Sequence, residues 1–361
     1  MASSAPDRTE YPGEAARGAG GGLVRDRAGV GIIGCGGVTR ATIDSFLDSG
    51  GSVSWVMDPD AAAREAVVHQ VARRAPAPLS FDGVEDALRR GGDDAPVLIN
   101  SPGSLHLAHI ALCAEAGRPM LVAKPLGMDW EETERALTLA DDARVSIDVA
   151  EQYPDEAHAI QIGTLLDRYG PARRILLDHR KPSSSQGTLE GKKQTGILEY
   201  AVHHYAVLSS WLGILPHAIA VDSWTANDGR SGRDSIGHAW LHYDSCHVLH
   251  AFGFGGERTT YRAEIETDTA VITATGQHFA DPDVEVGIVA DGESIAVTPR
   301  RAVGAWDRMF LRWLASSDTE IDVSGRRQIR IVAAMVDAAL RAADTGAVVD
   351  LRADPRFEDL W

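Results

Sequence analysis

The sequence predicts an α/β protein: a Rossmann-type, doubly wound parallel sheet, then a C-terminal α+β domain with a large, mostly antiparallel, open sheet. Three observations predict it. From Gly29 to about Ala150 short apolar runs alternate with helix-length patterns, the texture of a parallel sheet covered on both faces. The run Val30-Gly31-Ile32-Ile33 enters the glycine-rich turn Gly34-Cys35-Gly36-Gly37 and then a helical pattern. That geometry presents the backbone N–H groups of a helix N-terminus to a pyrophosphate. Beyond Leu212 come longer alternating segments separated by turns such as Tyr243-Asp244-Ser245, the pattern of an antiparallel sheet.

Taken in order, residues 1–28 are rich in Ala, Gly, Ser and charge and lack hydrophobic periodicity, so a flexible tail is expected. Strands are expected at 29–33, 53–57, 96–100, 120–123 and 145–149. Helices are expected between and after them at 38–47, 61–73, 84–90, 105–116 and 130–141. A dinucleotide-binding domain therefore spans 29–150, and an α+β domain spans 151–361. In the latter, a helix at 156–168 ends at Gly170-Pro171, a strand covers 175–179, and 181–194 is a polar loop of Ser, Gly and Lys. One helix is expected from Gly196 to Leu212. Strands follow at 218–225, 235–243, 246–254, 259–266, 270–275 and 284–290, and helices at 306–316 and 326–345 close the chain.

A chain of 361 residues exceeds what one core usually supports. Hydrophobic residues at 44% and charged residues at 24% mark an ordinary globular composition. The formal net charge of −17 argues against nucleic acid and anionic membrane as partners. Cys35, Cys113 and Cys246 are odd in number and widely spaced, so packed, reduced thiols are expected rather than a disulfide framework. With no apolar run near membrane-spanning length and no signal pattern, the cytoplasm is the expected compartment.

Chemistry concentrates at a few positions. Gly34, Gly36, Gly37 and Val38 form the expected cofactor turn, with Thr39 at its third motif position. A second apolar strand ends in Asp58, where a carboxylate suits a ribose diol and disfavours a 2′-phosphate, so NAD is expected over NADP. Lysine occurs only at Lys124, Lys181, Lys192 and Lys193. Lys124 ends a parallel strand, where open α/β sheets meet their ligands, and Pro125 fixes the backbone after it. Glu199 and His203 lie four apart on one helical pattern, so a carboxylate can orient an imidazole. An exposed polar pair has the same spacing. His204 is rotated about 100° away by helix geometry and is a secondary substrate candidate. Lys192 and Lys193, in the polar loop, suit an anionic or hydroxyl-rich group, and a solvated loop explains them equally well. His238, His242, Cys246, His247 and His250 lack the tight spacing of a metal set, so no metal is expected.

With these residues in view, the chain resembles the Gfo/Idh/MocA oxidoreductases. VGIIGCGGVTR at 30–40, VMDPD at 56–60, SPGSLH at 101–106, AKPLG at 123–127 and GILEYAVHHYAVLSSWLG at 196–213 carry the resemblance in order. It implies a dinucleotide held by Gly34, Gly36, Gly37 and Asp58, with Ser101, Pro102 and His106 nearby. It also implies a catalytic site of Lys124, Glu199 and His203 between two domains, and dimers or tetramers formed through the open sheet. The chain departs from the family pattern in having Ala123 before Lys124, Glu199 where Asp is usual, Gly103 where Asn is usual, and Tyr153-Pro154 after the last parallel strand.

The expected function is NAD-dependent hydride transfer to or from a secondary alcohol or ketone of a sugar, cyclitol or glycosylated metabolite. In oxidation His203 takes the hydroxyl proton, Glu199 holds the imidazole, and Lys124 stabilises the alkoxide or is itself the acid–base group. Two alternatives stay open: transient oxidation driving elimination or glycoside cleavage without net redox, and a non-catalytic dinucleotide-binding regulator.

Overall fold

The first sheet forms because its strands are apolar enough to be covered on both faces. The computed structural model describes residues 29–92, 95–182, 196–225, 234–254, 258–297, 299, 303–315 and 323–361. The expected tail at 1–28 and the loop lysines Lys192 and Lys193 lie outside these. Strands β1 (Val30–Ile33), β2 (Val53–Met57), β3 (Leu79–Phe81), β4 (Val97–Ile99), β5 (Met120–Ala123) and β6 (Ile147–Ala150) pair in parallel in the order β3-β2-β1-β4-β5-β6. Helices α1 (Gly37–Asp48), α2 (Ala61–Ala72), α3 (Val84–Arg90), α4 (His106–Glu115) and α5 (Trp130–Ala143) connect them. This is the doubly wound order in which the chain reverses between β1 and β4 and leaves a crevice at the carboxyl ends.

Beyond β6 come α6 (Ala157–Tyr169), β7 (Arg174–Lys181), a π-helical turn at Ile197–Ala201 and α7 (Val202–Leu212). Then follow β8 (Ala218–Thr225), β9 (Asp234–His242), β10 (His247–Phe254), β11 (Thr260–Glu266), β12 (Ala270–Gly276), β13 (Glu285–Ala290) and β14 (Glu293–Val297). Helices α8 (Ala305–Ala315) and α9 (Val323–Thr345) and the short strand β15 (Val349–Asp350) complete the described chain. Among the described residues the second sheet has nine strands in the order β14-β13-β12-β11-β7-β10-β9-β8-β15. It is antiparallel except where β7 and β10 run together. One face buries Ile175, Leu177, Ala239, Leu241, Ile265 and Ile272 in a core shared with Ile162, Tyr205 and Met335 from α6, α7 and α9. On the other face Trp240 and Val289 remain 48% and 47% exposed.

The two parts of the chain interlock. Met309, Phe310 and Trp313 of α8 pack into the cluster of Val30, Ile32, Phe46 and Val56. The Phe46 and Phe310 rings meet edge to face at 5.2 Å, so a late helix covers the first sheet. Three strands escape the sequence pattern, and all lie at sheet edges. β3 is three residues long, β14 is exposed along most of its length, and β15 is two residues long. Short or solvated edge strands carry no hydrophobic alternation to detect.

Candidate active site

At the end of β1, Gly34 takes a φ of +95°, and a Cβ there would lie 2.7 Å from the carbonyl group of Asn100 and the nitrogen of Ser101. The turn thus packs directly on the β4 loop, as only glycine allows. Gly34→Ala is expected to cost at least about 1–3 kcal/mol of stability through left-handed strain and overlap, read as a lower urea midpoint. An unchanged midpoint would show that the loop yields without cost.

The next two glycines do different work. Gly36 caps α1 without a side-chain hydrogen bond, and a Cβ on Gly36 or Gly37 would meet nothing within 4 Å. The first N–H groups of a three-turn helix therefore face open space with no side chain in the way, which fits a pyrophosphate. Val38, 50% exposed, lies in the first turn beside them. Thr39 is buried, donates its hydroxyl to the Gly34 carbonyl at 2.6 Å, and accepts from the Asn100 amide at 3.0 Å. It ties helix, turn and β4 loop together.

Asp58 braces the same turn. Its Oδ2 accepts from the Cys35 N–H at 2.8 Å and its Oδ1 from the Asp60 N–H at 2.9 Å. Arg64 curls back from α2 to the Asp58 carbonyl and donates to the Ser80 hydroxyl, so a guanidinium adjoins the expected ribose-binding acid. Pro102 is exposed, and Ser101 hydrogen-bonds His109 Nδ1 at 2.8 Å. His106 is buried, and its ring nitrogens each lie 2.8 Å from a backbone carbonyl, of Pro125 and Ser101. It joins the β4 and β5 loops.

The expected catalytic residues meet at the carboxyl ends of β5 and β6, with one change of partner. Lys124 donates from Nζ to the backbone carbonyl of Glu199 at 2.7 Å. The orienting carboxylate of His203 is Glu151, not Glu199. His203 Nδ1 donates to Glu151 Oε2 at 2.6 Å, and Glu151 Oε1 accepts from the Tyr153 N–H at 3.0 Å. The reason is local: Glu199 sits in the π-helical turn at Ile197–Ala201, whose i→i+5 pairing breaks the one-face relation that i,i+4 spacing has in an α-helix. Tyr153 stacks on the His203 ring at 4.3 Å and on Phe279 at 4.5 Å, fixing the imidazole plane. Burial pushes His203 down to about 4, with Glu151 opposing and Lys124 adding to the shift. Burial alone would raise Glu151; the His203 imidazole, the Tyr153 N–H and the Lys124 ammonium hold it low. At neutral pH this is a neutral imidazole on a carboxylate, able to take a proton at Nε2. A cavity of about 450 Å³ runs along Lys124 and Glu151, with Asp148, Asp155 and Arg312 also in its wall.

Two further groups escaped the sequence reading. Lys181, the last residue of β7, places Nζ 4.9 Å over the Tyr200 ring. Its pKa falls to about 8 through burial and then Lys124, with Glu199 opposing. His278 lies beside it, pushed down to about 4 by burial, Lys181 and His203. Glu151 and Lys181 both end strands, and the rule that singled out Lys124 finds them. His204, a substrate candidate by sequence, is instead fully buried within a row of imidazoles. His179 Nδ1 meets His204 Nε2 at 2.8 Å, and His204 Nδ1 meets His250 Nε2 at 2.8 Å. Because the Phe279 N–H donates to His179 Nε2 at 3.2 Å, His179 must carry its proton on Nδ1. The same then follows for His204 and His250.

Burial pushes all three pKa values down, His250 to about 3 and the others well below 6.5. The unfolded imidazoles bind protons that the folded ones refuse, so stability is full above 6.5 and falls as pH drops below it. Each neutral imidazole is expected to contribute up to about 1.4 kcal/mol per pH unit in that window. Urea midpoints measured from pH 7.5 to 5.5 check this, and a flat profile would contradict the neutral row. Among the described residues no group of His, Cys, Asp and Glu is placed to hold a metal ion. Among them, too, no helix is long and apolar enough to cross a membrane.

Comparisons with known proteins agree with this architecture. Residues 28–151 match the Gfo/Idh/MocA family model, described as an oxidoreductase family with an NAD-binding Rossmann fold. Inositol 2-dehydrogenase of Corynebacterium glutamicum (strain R) is 30% identical over 191 residues, 51% of this chain and 53% of that protein. The inositol 2-dehydrogenase of Leifsonia xyli subsp. xyli is 29% identical over 195 residues, 53% and 55% of the two chains. The match thus spans about half the length of these relatives. Among solved structures, an oxidoreductase from Agrobacterium radiobacter in complex with NAD+, L-tartaric acid and magnesium superposes with a TM-score of 0.76 at 16% identity, covering 90% of this chain and 99% of that one. A 3-ketoreductase from Actinomadura kijaniata in complex with TDP-benzene and NADP gives 0.74 at 18% identity, covering 88% and 97%. At such identities the likeness is one of fold.

Proposed function

We propose that this chain, whose residues 28–151 match the Gfo/Idh/MocA family model, interconverts a secondary alcohol and a ketone on a small, hydroxyl-rich substrate with NAD as cofactor. One observation carries the reading: an ammonium, Lys124, and a carboxylate-held imidazole, His203 on Glu151, meet at the carboxyl ends of β5 and β6, in the same sheet whose β1 ends in a glycine turn shaped for a dinucleotide. The nicotinamide, when bound, supplies the hydride acceptor or donor. Gly34, Gly36, Gly37 and Val38 would hold its pyrophosphate, and Asp58 its ribose.

The chain's own residues supply the rest. In oxidation, His203 Nε2 takes the hydroxyl proton while Glu151 stabilises the imidazolium that forms, help worth about 10²–10⁴-fold. The Lys124 ammonium, fixed by the Glu199 carbonyl, stabilises negative charge on the reacting oxygen. A preference for NAD over NADP rests on the Asp58 carboxylate, which repels a 2′-phosphate, with Arg64 close enough to soften it. Relatives named inositol 2-dehydrogenases support a polyol substrate. The exposed Trp240 and Val289 support pairing of two copies through the open sheet.

Absorbance and native mass spectra of the purified protein test the cofactor, and NADH formation at 340 nm with myo-inositol and related polyols tests the reaction. Bound or titratable NAD(H) with substrate-dependent absorbance change is the expected result. Retained cofactor binding without any net NADH, but with substrate consumed, would favour transient oxidation instead.

A further inference from the structure

We propose that the substrate carries an anionic group, a carboxylate or a phosphate, and that Lys181 binds it. The inference rests on the reading that this crevice is the active site, and it adds what the substrate must bear.

Lys181 ends β7, the middle strand of the nine-stranded sheet. Its strand position and half-buried state draw its ammonium out of bulk water. Among the described residues it has no ion pair, and its charge lies 4.9 Å over the Tyr200 ring face. A π face offsets only part of the cost of desolvating an ammonium.

The neighbours deepen the imbalance. Lys124 holds the carbonyl of Glu199, the residue just before Tyr200, so two ammonium groups sit against consecutive residues of one π-helical turn. They are close enough to repel each other. Glu151 is committed to His203 and to the Tyr153 N–H, and its charge acts on Lys124 as well. Glu199 attracts Lys181 at a distance but does not reach ion-pair contact with it. His203 and His278, held neutral at pH 7, carry no negative charge in either protonation state. A neutral hydroxyl accepts a hydrogen bond from Lys181 yet leaves its charge in place, whereas an anionic oxygen meets both needs in a charge-assisted bond. A solely structural Lys181 would serve to pack its stem on Tyr200, and the test separates that role from anion binding.

The experiment uses the NAD-loaded full chain and matched ligands: D-glucose against D-glucuronate and D-glucose 6-phosphate, and myo-inositol against its 1-phosphate. Calorimetry reads binding whether or not turnover occurs, and NADH absorbance reads turnover. The charged members are expected to bind about 10- to 100-fold more tightly than the neutral ones. The preference should collapse in Lys181→Gln and survive in Lys181→Arg; the carboxylate and phosphate arms show which anion is read. Equal binding of neutral and charged members by the wild type, no binding by any member, or a preference that survives Lys181→Gln overturns the proposal. Since the wild-type preference is measured first, a Lys181 variant that fails to fold cannot shield the idea. Selective anion binding without NADH would defeat the redox reading and leave this one standing; turnover of neutral polyols without preference would do the reverse.

Discussion

Glu151→Gln is expected to lower turnover by about 10²-fold or more, with the protein still folded and still binding NAD. Glutamine keeps the size of the side chain and can accept one hydrogen bond, but it cannot balance the positive charge that His203 acquires when it takes the substrate proton. The short contact between His203 Nδ1 and Glu151 Oε2 is the point at which that balance is made. Glu199→Gln is expected to cost far less, because Glu199 meets Lys124 through its backbone carbonyl, which the substitution retains. Steady-state kcat for the two variants decides between them. A larger loss in Glu199→Gln would restore the residue that helical spacing first pointed to, and would mean that the π-helical turn does not persist in solution.

Lys124→Met is expected to lower kcat/KM by about 10²–10³-fold, the usual cost of removing one donor aimed at developing negative charge. Methionine keeps an unbranched stem of similar length, so packing between β5 and the π-helical turn is largely preserved. The measurement pairs kcat/KM with NAD affinity by fluorescence titration. Loss of turnover with unchanged NAD affinity is the expected pattern. Parallel loss of both would assign Lys124 to holding the cofactor rather than the reacting oxygen.

How much was legible in the sequence follows from how each feature is encoded. The parallel sheet was legible because β1, β2, β4 and β5 are apolar runs and the helices between them are of ordinary length. Lys124 and His203 were legible from a strand end and a helical pattern. Glu151 is equally accessible in principle, lying one residue past β6, but it falls at the expected domain boundary, between the patterns of two elements. The pairing of Glu199 with His203 failed for a different reason. Spacing of four means one face only while pairing is i→i+4, and nothing in Ile197-Leu198-Glu199-Tyr200-Ala201 announces an i→i+5 turn. His204 points away from His203, as helix geometry requires. Its burial between His179 and His250 depends on β7 and β10 lying side by side, a long-range pairing that local pattern does not contain.

The row of three imidazoles carries no charge, but it has a direction. With every proton on Nδ1, the ring dipoles of His179, His204 and His250 add head to tail. The positive end lies at His250, whose Nδ1 is buried without a partner among the described residues. The negative end lies at His179, against Tyr200 and His278 at 4.7 Å each between ring centres. The single Phe279 N–H that sets the first tautomer thus polarises the whole row. Oriented side-chain dipoles of this kind act as fixed partial charges, and these place negative potential on the side where Lys181 and Lys124 hold their ammonium groups. Reversing one ring would require reversing all three, so the field is switched as a unit or not at all.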